Sequence, residues 1–154
     1  MPTDLSALLQ GGVIIPLHEA SSRKQAIQVL CEALSEATGI GAREIEDAVM
    51  ERERLGSTGV GEGVAIPHAR LAGLERPVGG FMRLLKGVEF EAIDERPCDL
   101  LFMLLAPDGS GAEHLRALAQ VSRVFRQPPV REALRKAKTV EDVRAALGKE
   151  SVRS

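Results

Sequence analysis

The sequence is poor in aromatic residues: it contains no tryptophan, no tyrosine and only four phenylalanines. Aromatic side chains are the platforms on which unpaired bases stack, so their scarcity argues against a protein that binds single-stranded nucleic acid. The net charge of −2, with acidic and basic residues interspersed, also argues against binding through a basic patch. The composition therefore gives no indication of a nucleic-acid partner.

Long apolar runs and a basic N-terminal segment are also lacking. No stretch approaches the roughly 20 apolar residues that span a membrane, and the N-terminus MPTDLSALLQ does not resemble a signal peptide. The two cysteines, Cys31 and Cys98, are far apart without metal-ligand spacing, as expected of buried, reduced thiols. We therefore expect a cytoplasmic chain, and its 154 residues are the length of one domain.

The segment Leu55–Arg70, LGSTGVGEGVAIPHAR, concentrates the residues that are suited to chemistry. Its glycines can adopt positive φ, and such a loop can direct several amide N–H groups at one anion. Pro67 then stiffens the chain immediately before His68. The pattern predicts an anion-binding loop beside a pre-oriented imidazole. The candidate phosphoryl-binding residues of the loop are Gly56, Ser57, Thr58, Gly59 and Gly61, although the two hydroxyls could instead simply fix the turn.

The glycine pattern does not match the common nucleotide-binding loops. A P-loop requires Lys and then Ser or Thr after its second glycine, and Glu62 and Gly63 occupy those positions. A carboxylate there would repel a triphosphate. The dinucleotide pattern G-x-G-x-x-G fails too, because glycines 59, 61 and 63 run G-x-G-x-G. A phosphate held by this loop would therefore be a single phosphoryl group offered to His68.

Arg52 lies seven residues after Ile45, on the apolar stripe of a helix predicted from about Ala42 to Leu55. One interpretation is a cation that is favoured at a helix C-terminus and extends to water. The other is a functional guanidinium, since the glycine loop follows directly and Arg52 could direct its donors toward a phosphoryl group.

His114 lies in the first turn of a helix that opens with a capping box at residues 110–113 and reaches about residue 126. It shares a face with Leu118 and Val121 and should point inward. A core histidine bonded to backbone is one interpretation. A site is the other, because a helix N-terminus disfavours imidazolium and attracts phosphate.

Strand and helix patterns alternate along the chain, which predicts a layered α/β fold. The apolar run Asp99–Ala106 predicts a central strand buried on both faces. Gly12–Leu17 predicts a short strand, in which Pro16 favours an edge position or a strand end. Strands at Val78–Leu85 and Val88–Phe90 around a Lys86–Gly87 turn predict an antiparallel hairpin, and therefore a mixed sheet.

The segment GSTGVGEGVAIPHAR resembles the active-site signature of the fructose/mannitol-type enzyme IIA of the bacterial phosphoenolpyruvate:sugar phosphotransferase system. The likeness extends to RERLGSTG upstream, and to FEAIDERPCDLLFMLLAP and the EHL motif downstream. It covers roughly residues 5–147 and is greatest for the nitrogen-regulatory branch. The resemblance implies one domain over residues 1–154, a three-layer fold with a mixed sheet and helices on both faces. It also implies a phosphorylated His68, an active-site Arg52 and a second active-site histidine at His114.

The function implied by this resemblance is that of a phosphoryl carrier. His68 would accept a phosphoryl group, at Nε2, from a histidine phosphocarrier protein that enzyme I charges from phosphoenolpyruvate. The chain would then regulate target proteins through its phosphorylation state, or pass the group to a IIB component for uptake of a fructose- or mannitol-class sugar. We expect no cofactor, metal or nucleotide, because exchange between two phosphohistidines is nearly balanced in energy and depends mainly on positioning.

The sequence leaves open two alternatives to a phosphoryl carrier, each from another class of protein. A metal-dependent hydrolase could use His68, His114 and either Glu62 or Glu113, although no H-x-x-x-H spacing supports it. A binding module could recognise an anion without reacting with it.

Overall fold

A mixed six-stranded sheet forms the centre of the protein. The structure, a computed structural model, describes residues 5–109 and 111–153. The strands are β1 (Val13–His18), β2 (Gly59–Gly61), β3 (Val64–Ala65), β4 (His68–Leu71), β5 (Val78–Val88) and β6 (Cys98–Pro107). The helices are α1 (Ser6–Leu9), α2 (Arg23–Thr38), α3 (Ala42–Arg54), α4 (Gly111–Phe125), α5 (Pro128–Lys136) and α6 (Val140–Arg153). The strand order is β1-β5-β6-β3-β2, and β4 also pairs with β6.

Strand β6 is the central strand that its apolar run predicted. Residues 100–106 are all fully buried. The strand pairs with β5 in antiparallel orientation and with β3 and β4 in parallel orientation, so the predicted mixed sheet is confirmed. The predicted edge strand is confirmed as β1, which pairs in parallel with β5.

The predicted hairpin at Lys86–Gly87 is wrong. The two residues lie inside a single strand, β5, where the register with β6 shifts between Arg83 and Val88. A Cβ atom on Gly87 would lie 2.9 Å from the Cβ of Pro97. Gly87 therefore allows close approach of the chain that enters β6 and does not form a turn. The antiparallel partner of β5 is β6, across a longer connection.

Helices cover both faces of the sheet, which confirms the three-layer α/β fold class. Helices α2 and α3 pack on one face through a cluster that includes Ile27, Leu30, Leu34, Ile45 and Val49. Helices α1, α4, α5 and α6 pack on the other face through a second cluster. The short helix α1 was not predicted. No helix in the described part of the chain is long and apolar enough to cross a membrane.

The helix ends follow local capping rules. Ser22 Oγ accepts a hydrogen bond from the Gln25 amide at 3.1 Å, and Gly39 ends α2 with a φ of 83°. The side chain of Gln25 accepts from the Ser21 amide at 2.6 Å, so only the serine half of a capping box is formed at the start of α2. Ser110, the first residue of the capping box predicted before α4, lies outside the described residues.

Candidate active site

A pocket of about 580 Å³ lies where α3 ends, β4 begins and α4 begins. Its lining includes Arg52 and Leu55 from the end of α3, His68 and Arg70 from β4, and His114 and Leu115 from α4. The structure therefore brings together the three residues that the sequence predicted as catalytic.

His68 is the first residue of β4 and is partly buried. Its Nδ1 lies 2.8 Å from the carbonyl oxygen of Ile66. A carbonyl can only accept, so in the neutral ring Nδ1 carries the proton and donates it to Ile66. The lone pair of the neutral imidazole is then on Nε2. The local chain therefore selects which ring nitrogen can act as a nucleophile.

The surroundings of His68 keep its imidazole neutral. Burial is the largest influence and lowers the pKa of the ring. The hydrogen bond to Ile66 opposes this effect, the positive charge of Arg52 lowers the pKa further, and Glu53 raises it. The net direction is downward from 6.5, so the unprotonated, nucleophilic form dominates near neutral pH.

His114 lies beside His68 in the first turn of α4. The ring centroids are 5.5 Å apart and the ring planes are inclined by 50°. The residue is only 9% exposed, and its Nδ1 has no hydrogen-bond partner in the described part of the chain. Buried polar atoms without a partner are rare, and a histidine satisfied by backbone would have used this atom. Burial, then His68 and then Arg70 lower the pKa of His114, so this ring is also neutral.

Arg52 lies in the last turn of α3 and lines the same pocket. Its Nη1 donates a hydrogen bond to the carbonyl of Gly56 at 2.8 Å. This bond uses one of the five donors of the guanidinium and holds it beside the histidines. Of the two interpretations of Arg52, the one that places its charge at the site agrees with this geometry.

Residues 7–150 match the protein family described as "Phosphoenolpyruvate-dependent sugar phosphotransferase system, EIIA 2". The chain belongs to this family. The chain is 40% identical over 143 residues to a nitrogen regulatory protein of Bradyrhizobium diazoefficiens, and the match covers 93% of the chain and 94% of that protein. It is also 36% identical over 149 residues to the fructose-specific EIIA component of Haloferax volcanii. That match covers 94% of this chain and 97% of the Haloferax protein.

The fold agrees with this assignment. The crystal structure of the nitrogen regulatory protein IIA-Ntr from Neisseria meningitidis superimposes on this chain with a TM-score of 0.84 at 34% identity. The match covers 92% of this chain and 97% of the Neisseria protein. The resemblance to this family and the phosphoryl-carrier function that it implied are confirmed. Membership makes the chain a component of a phosphotransferase system.

Glu53, which the sequence analysis did not identify, organises the start of the glycine loop. It is 5% exposed, and its carboxylate accepts hydrogen bonds from the amide (3.2 Å) and the hydroxyl of Thr58. Its backbone carbonyl accepts from the Gly56 amide at 3.2 Å. The C-terminal end of a helix carries partial negative charge, so a carboxylate in the last turn is unfavourable there unless it has hydrogen-bond partners. The position of Glu53 in the sequence was therefore an indication that its carboxylate is bonded to specific donors.

Other donors of the glycine loop are also used within the protein. Ser57 Oγ donates to the carbonyl of Phe90 and accepts from the Gly59 amide, the latter at 3.0 Å. Gly59 and Gly61 belong to β2 and pair with β3. None of the predicted loop residues lines the pocket. The amides of Gly56, Thr58 and Gly59 are therefore bonded within the protein, and a role of the loop in binding a phosphoryl group stays a prediction.

The carboxylates of the hydrolase alternative lie away from the histidine pair. Glu62 is at the tip of the β2–β3 hairpin, where its carboxylate pairs with Arg96 at 2.8 Å, and neither Glu62 nor Glu113 lines the pocket. Within residues 5–109 and 111–153, no three His, Cys, Asp or Glu side chains form a group that could hold a metal ion.

Several other residues of the pocket were not predicted as site residues, among them Arg70, Leu55 and Leu115. Arg70 lies in β4. Leu55 and Leu115 are 79% and 67% exposed and flank the histidines on α3 and α4. The sequence carries no signal for this grouping, because the three residues come from separate elements that only the tertiary fold brings together.

Proposed function

We propose that His68 accepts a phosphoryl group on Nε2 from the phosphohistidine of a histidine phosphocarrier protein. The observation that carries the proposal is the 2.8 Å hydrogen bond from Nδ1 to the Ile66 carbonyl, which leaves the Nε2 lone pair of a neutral ring available. Nucleophilic attack by a neutral imidazole is favourable near neutral pH, and the covalent adduct divides one transfer into two steps.

The transfer requires no movement of protons, because the phosphohistidine of the donor reacts with a proton on its other ring nitrogen. The Nε2 lone pair of His68 forms the new N–P bond, and the N–P bond of the donor breaks. Its electron pair returns to the donor ring, which leaves as a neutral imidazole, and the ring of His68 takes over the positive charge. The proton on Nδ1 of His68 stays in its bond to Ile66 throughout. Neither a metal ion nor a nucleotide cofactor takes part, because both ends of the exchange are phosphohistidines.

Arg52 and His114 stabilise the charge on the transferring group. Phosphoryl transfer depends mainly on positioning and electrostatic stabilisation of the equatorial oxygens. Arg52 supplies a fixed positive charge, and its bond to Gly56 holds it beside His68. His114 supplies a neutral ring 5.5 Å from that of His68, and a ring N–H on the pocket side can donate a hydrogen bond to a phosphoryl oxygen.

The donor protein docks on the apolar rim of the pocket. Leu55 and Leu115 line the same pocket as the histidines and expose most of their side chains, and exposed apolar groups around a polar centre are typical of interaction sites. An interface built on two exposed leucines is small, and small interfaces are weak and transient, which suits a carrier that must leave after each transfer. We place the reaction in the cytoplasm, where the phosphocarrier protein would be charged by enzyme I.

The phosphorylation state of His68 then regulates other proteins, as in a nitrogen-type enzyme IIA. The nitrogen regulatory relative at 40% identity supports this role. A second candidate is delivery of the phosphoryl group to a IIB component of a fructose- or mannitol-class uptake system, which the fructose-specific relative at 36% identity supports. Transfer of phosphate from the labelled chain to a purified fructose IIB domain would favour the second candidate.

The test is incubation with phosphoenolpyruvate, enzyme I and the histidine phosphocarrier protein. We expect the wild type to acquire one phosphate that is labile in acid and stable in base, and His68→Ala to acquire none. A non-reactive anion-binding module would acquire no phosphate in either form.

A further inference from the structure

Arg70 lies on the same side of β4 as His68. Side chains two positions apart in a strand share a face, and the exposure along β4 follows this rule. Ala69 and Leu71 are buried, whereas His68 is partly exposed and Arg70 is exposed. Both His68 and Arg70 line the pocket, so the strand presents a guanidinium next to the imidazole.

Arg70 also reaches the beginning of α4. Its Nη1 lies 3.7 Å from the position that a Cβ atom on Gly111 would occupy, and Gly111 is the first residue of α4. The charge of Arg70 contributes to the lowered pKa of His114, after burial and the effect of His68. The guanidinium therefore lies between the strand that carries His68 and the helix turn that carries His114.

The donors of Arg70 are not used within the described part of the chain, where no carboxylate or carbonyl accepts a hydrogen bond from its guanidinium and no ion pair forms. Of the pocket's carboxylates, Glu51 pairs with Arg54 at 2.6 Å, and Asp108 is exposed at the end of β6. Arg52, in contrast, already donates to a carbonyl. Arg70 thus offers a complete planar fork of donors, which matches the oxygens of a phosphoryl group.

We propose that Arg70 is a second guanidinium that contacts the phosphoryl group on His68, from the β4–α4 side of the pocket, while Arg52 contacts it from the end of α3. This inference rests on the proposed phosphorylation of His68. A cation that pairs with the phosphoryl dianion stabilises the phosphorylated chain more than the free chain. Arg70 therefore shifts the exchange with the phosphocarrier protein toward phosphorylation of this chain.

The decisive quantity is the equilibrium constant for phosphoryl exchange with the phosphocarrier protein. This constant compares separated proteins, so contacts that exist only in the docked complex do not affect it. Arg70→Ala is expected to shift the equilibrium about tenfold toward the phosphocarrier protein, the size of one charge-assisted interaction. Arg70→Lys keeps the charge but loses the fork, and should lie between Arg70→Ala and the wild type.

Arg76→Ala is the matched control. Arg76 is also an exposed arginine, and it lies outside the pocket. We expect its equilibrium to equal that of the wild type. A phosphorus NMR titration gives a second readout: Arg70→Ala should raise the pKa of the phosphoryl group, because a nearby cation favours the dianion.

The outcomes separate the two proposals. If the wild type is not phosphorylated, the proposed function fails. If the wild type is phosphorylated and Arg70→Ala has the same equilibrium and the same phosphoryl pKa as Arg76→Ala, only the role of Arg70 is overturned. A slower transfer with an unchanged equilibrium would show that Arg70 acts only during the transfer, in docking or in the transition state, and would also overturn the inference.

Discussion

The imidazole rings of His68 and His114 lie 5.5 Å apart between centroids, one on a strand and the other on a helix. Each ring has a lowered pKa, and the proximity of His68 contributes to the shift of His114. Two imidazolium ions at this distance would repel each other, so the pair is stable in its neutral form. A neutral pair provides one nucleophile and one hydrogen-bonding neighbour.

The first prediction concerns His114. Replacement by alanine should slow phosphoryl transfer to His68 by about 10- to 100-fold, because one preorganised contact to the phosphoryl oxygens is lost. Rapid-quench, single-turnover measurement with the phosphorylated carrier protein gives the rate. Transfer at the wild-type rate would return His114 to the role of a core histidine.

The second prediction concerns the titration of His68. Because the pKa of His68 is lowered in the folded protein, its ring stays neutral as the pH falls through 6.5 and gains its proton only below that value. NMR titration of the His68 ring should show this. Arg52→Ala removes a nearby positive charge and should raise the pKa of His68. A wild-type pKa at or above 6.5, or no change in the variant, contradicts the electrostatic account.

The third prediction concerns the apolar rim. Leu55→Ser with Leu115→Ser should raise the KM for the phosphocarrier protein about tenfold, since two exposed apolar contacts of the docking surface are removed. The phosphoryl equilibrium should not change, because neither side chain contacts the phosphoryl group. Ile93→Ser is the control, as Ile93 is 85% exposed outside the pocket. An equal effect in the control would show that the rim is not specific.

The fourth prediction concerns Glu53. Alanine at this position leaves the amide and hydroxyl of Thr58 without their buried acceptor and should reduce the free energy of unfolding by on the order of 2 kcal/mol. Glu53→Gln keeps one acceptor oxygen and should cost less. Thermal or urea unfolding measures both. Equal stability of wild type and Glu53→Ala would mean that the carboxylate does not hold the loop.

The central strand, and the helix faces on which Arg52 and His114 lie, could be predicted from the sequence. The uninterrupted apolar run before Pro107 is characteristic of a strand buried on both faces, and β6 is that strand. Helical phase placed Arg52 and His114 on inward faces, and both line the pocket. These predictions succeeded because each depends on a periodicity within one element.

Features that depend on contacts between elements could not be predicted. Lys86–Gly87 has the composition of a turn, but position 87 requires glycine because the chain near Pro97 leaves no room for a Cβ atom there. The composition of the glycine loop does not reveal that Ser57 donates to the carbonyl of Phe90 or that Thr58 donates to the carboxylate of Glu53. The place of Arg70 at the site depends on the fold, which brings β4 beside the start of α4.

The most direct test of the account is identification of the phosphorylated atom by nitrogen-15 NMR of the phosphorylated, histidine-labelled chain. The account predicts a phosphoryl group on Nε2 of His68 and a proton on Nδ1, because Ile66 holds Nδ1 as a donor. A phosphoryl group on Nδ1, or on any residue other than His68, would contradict it.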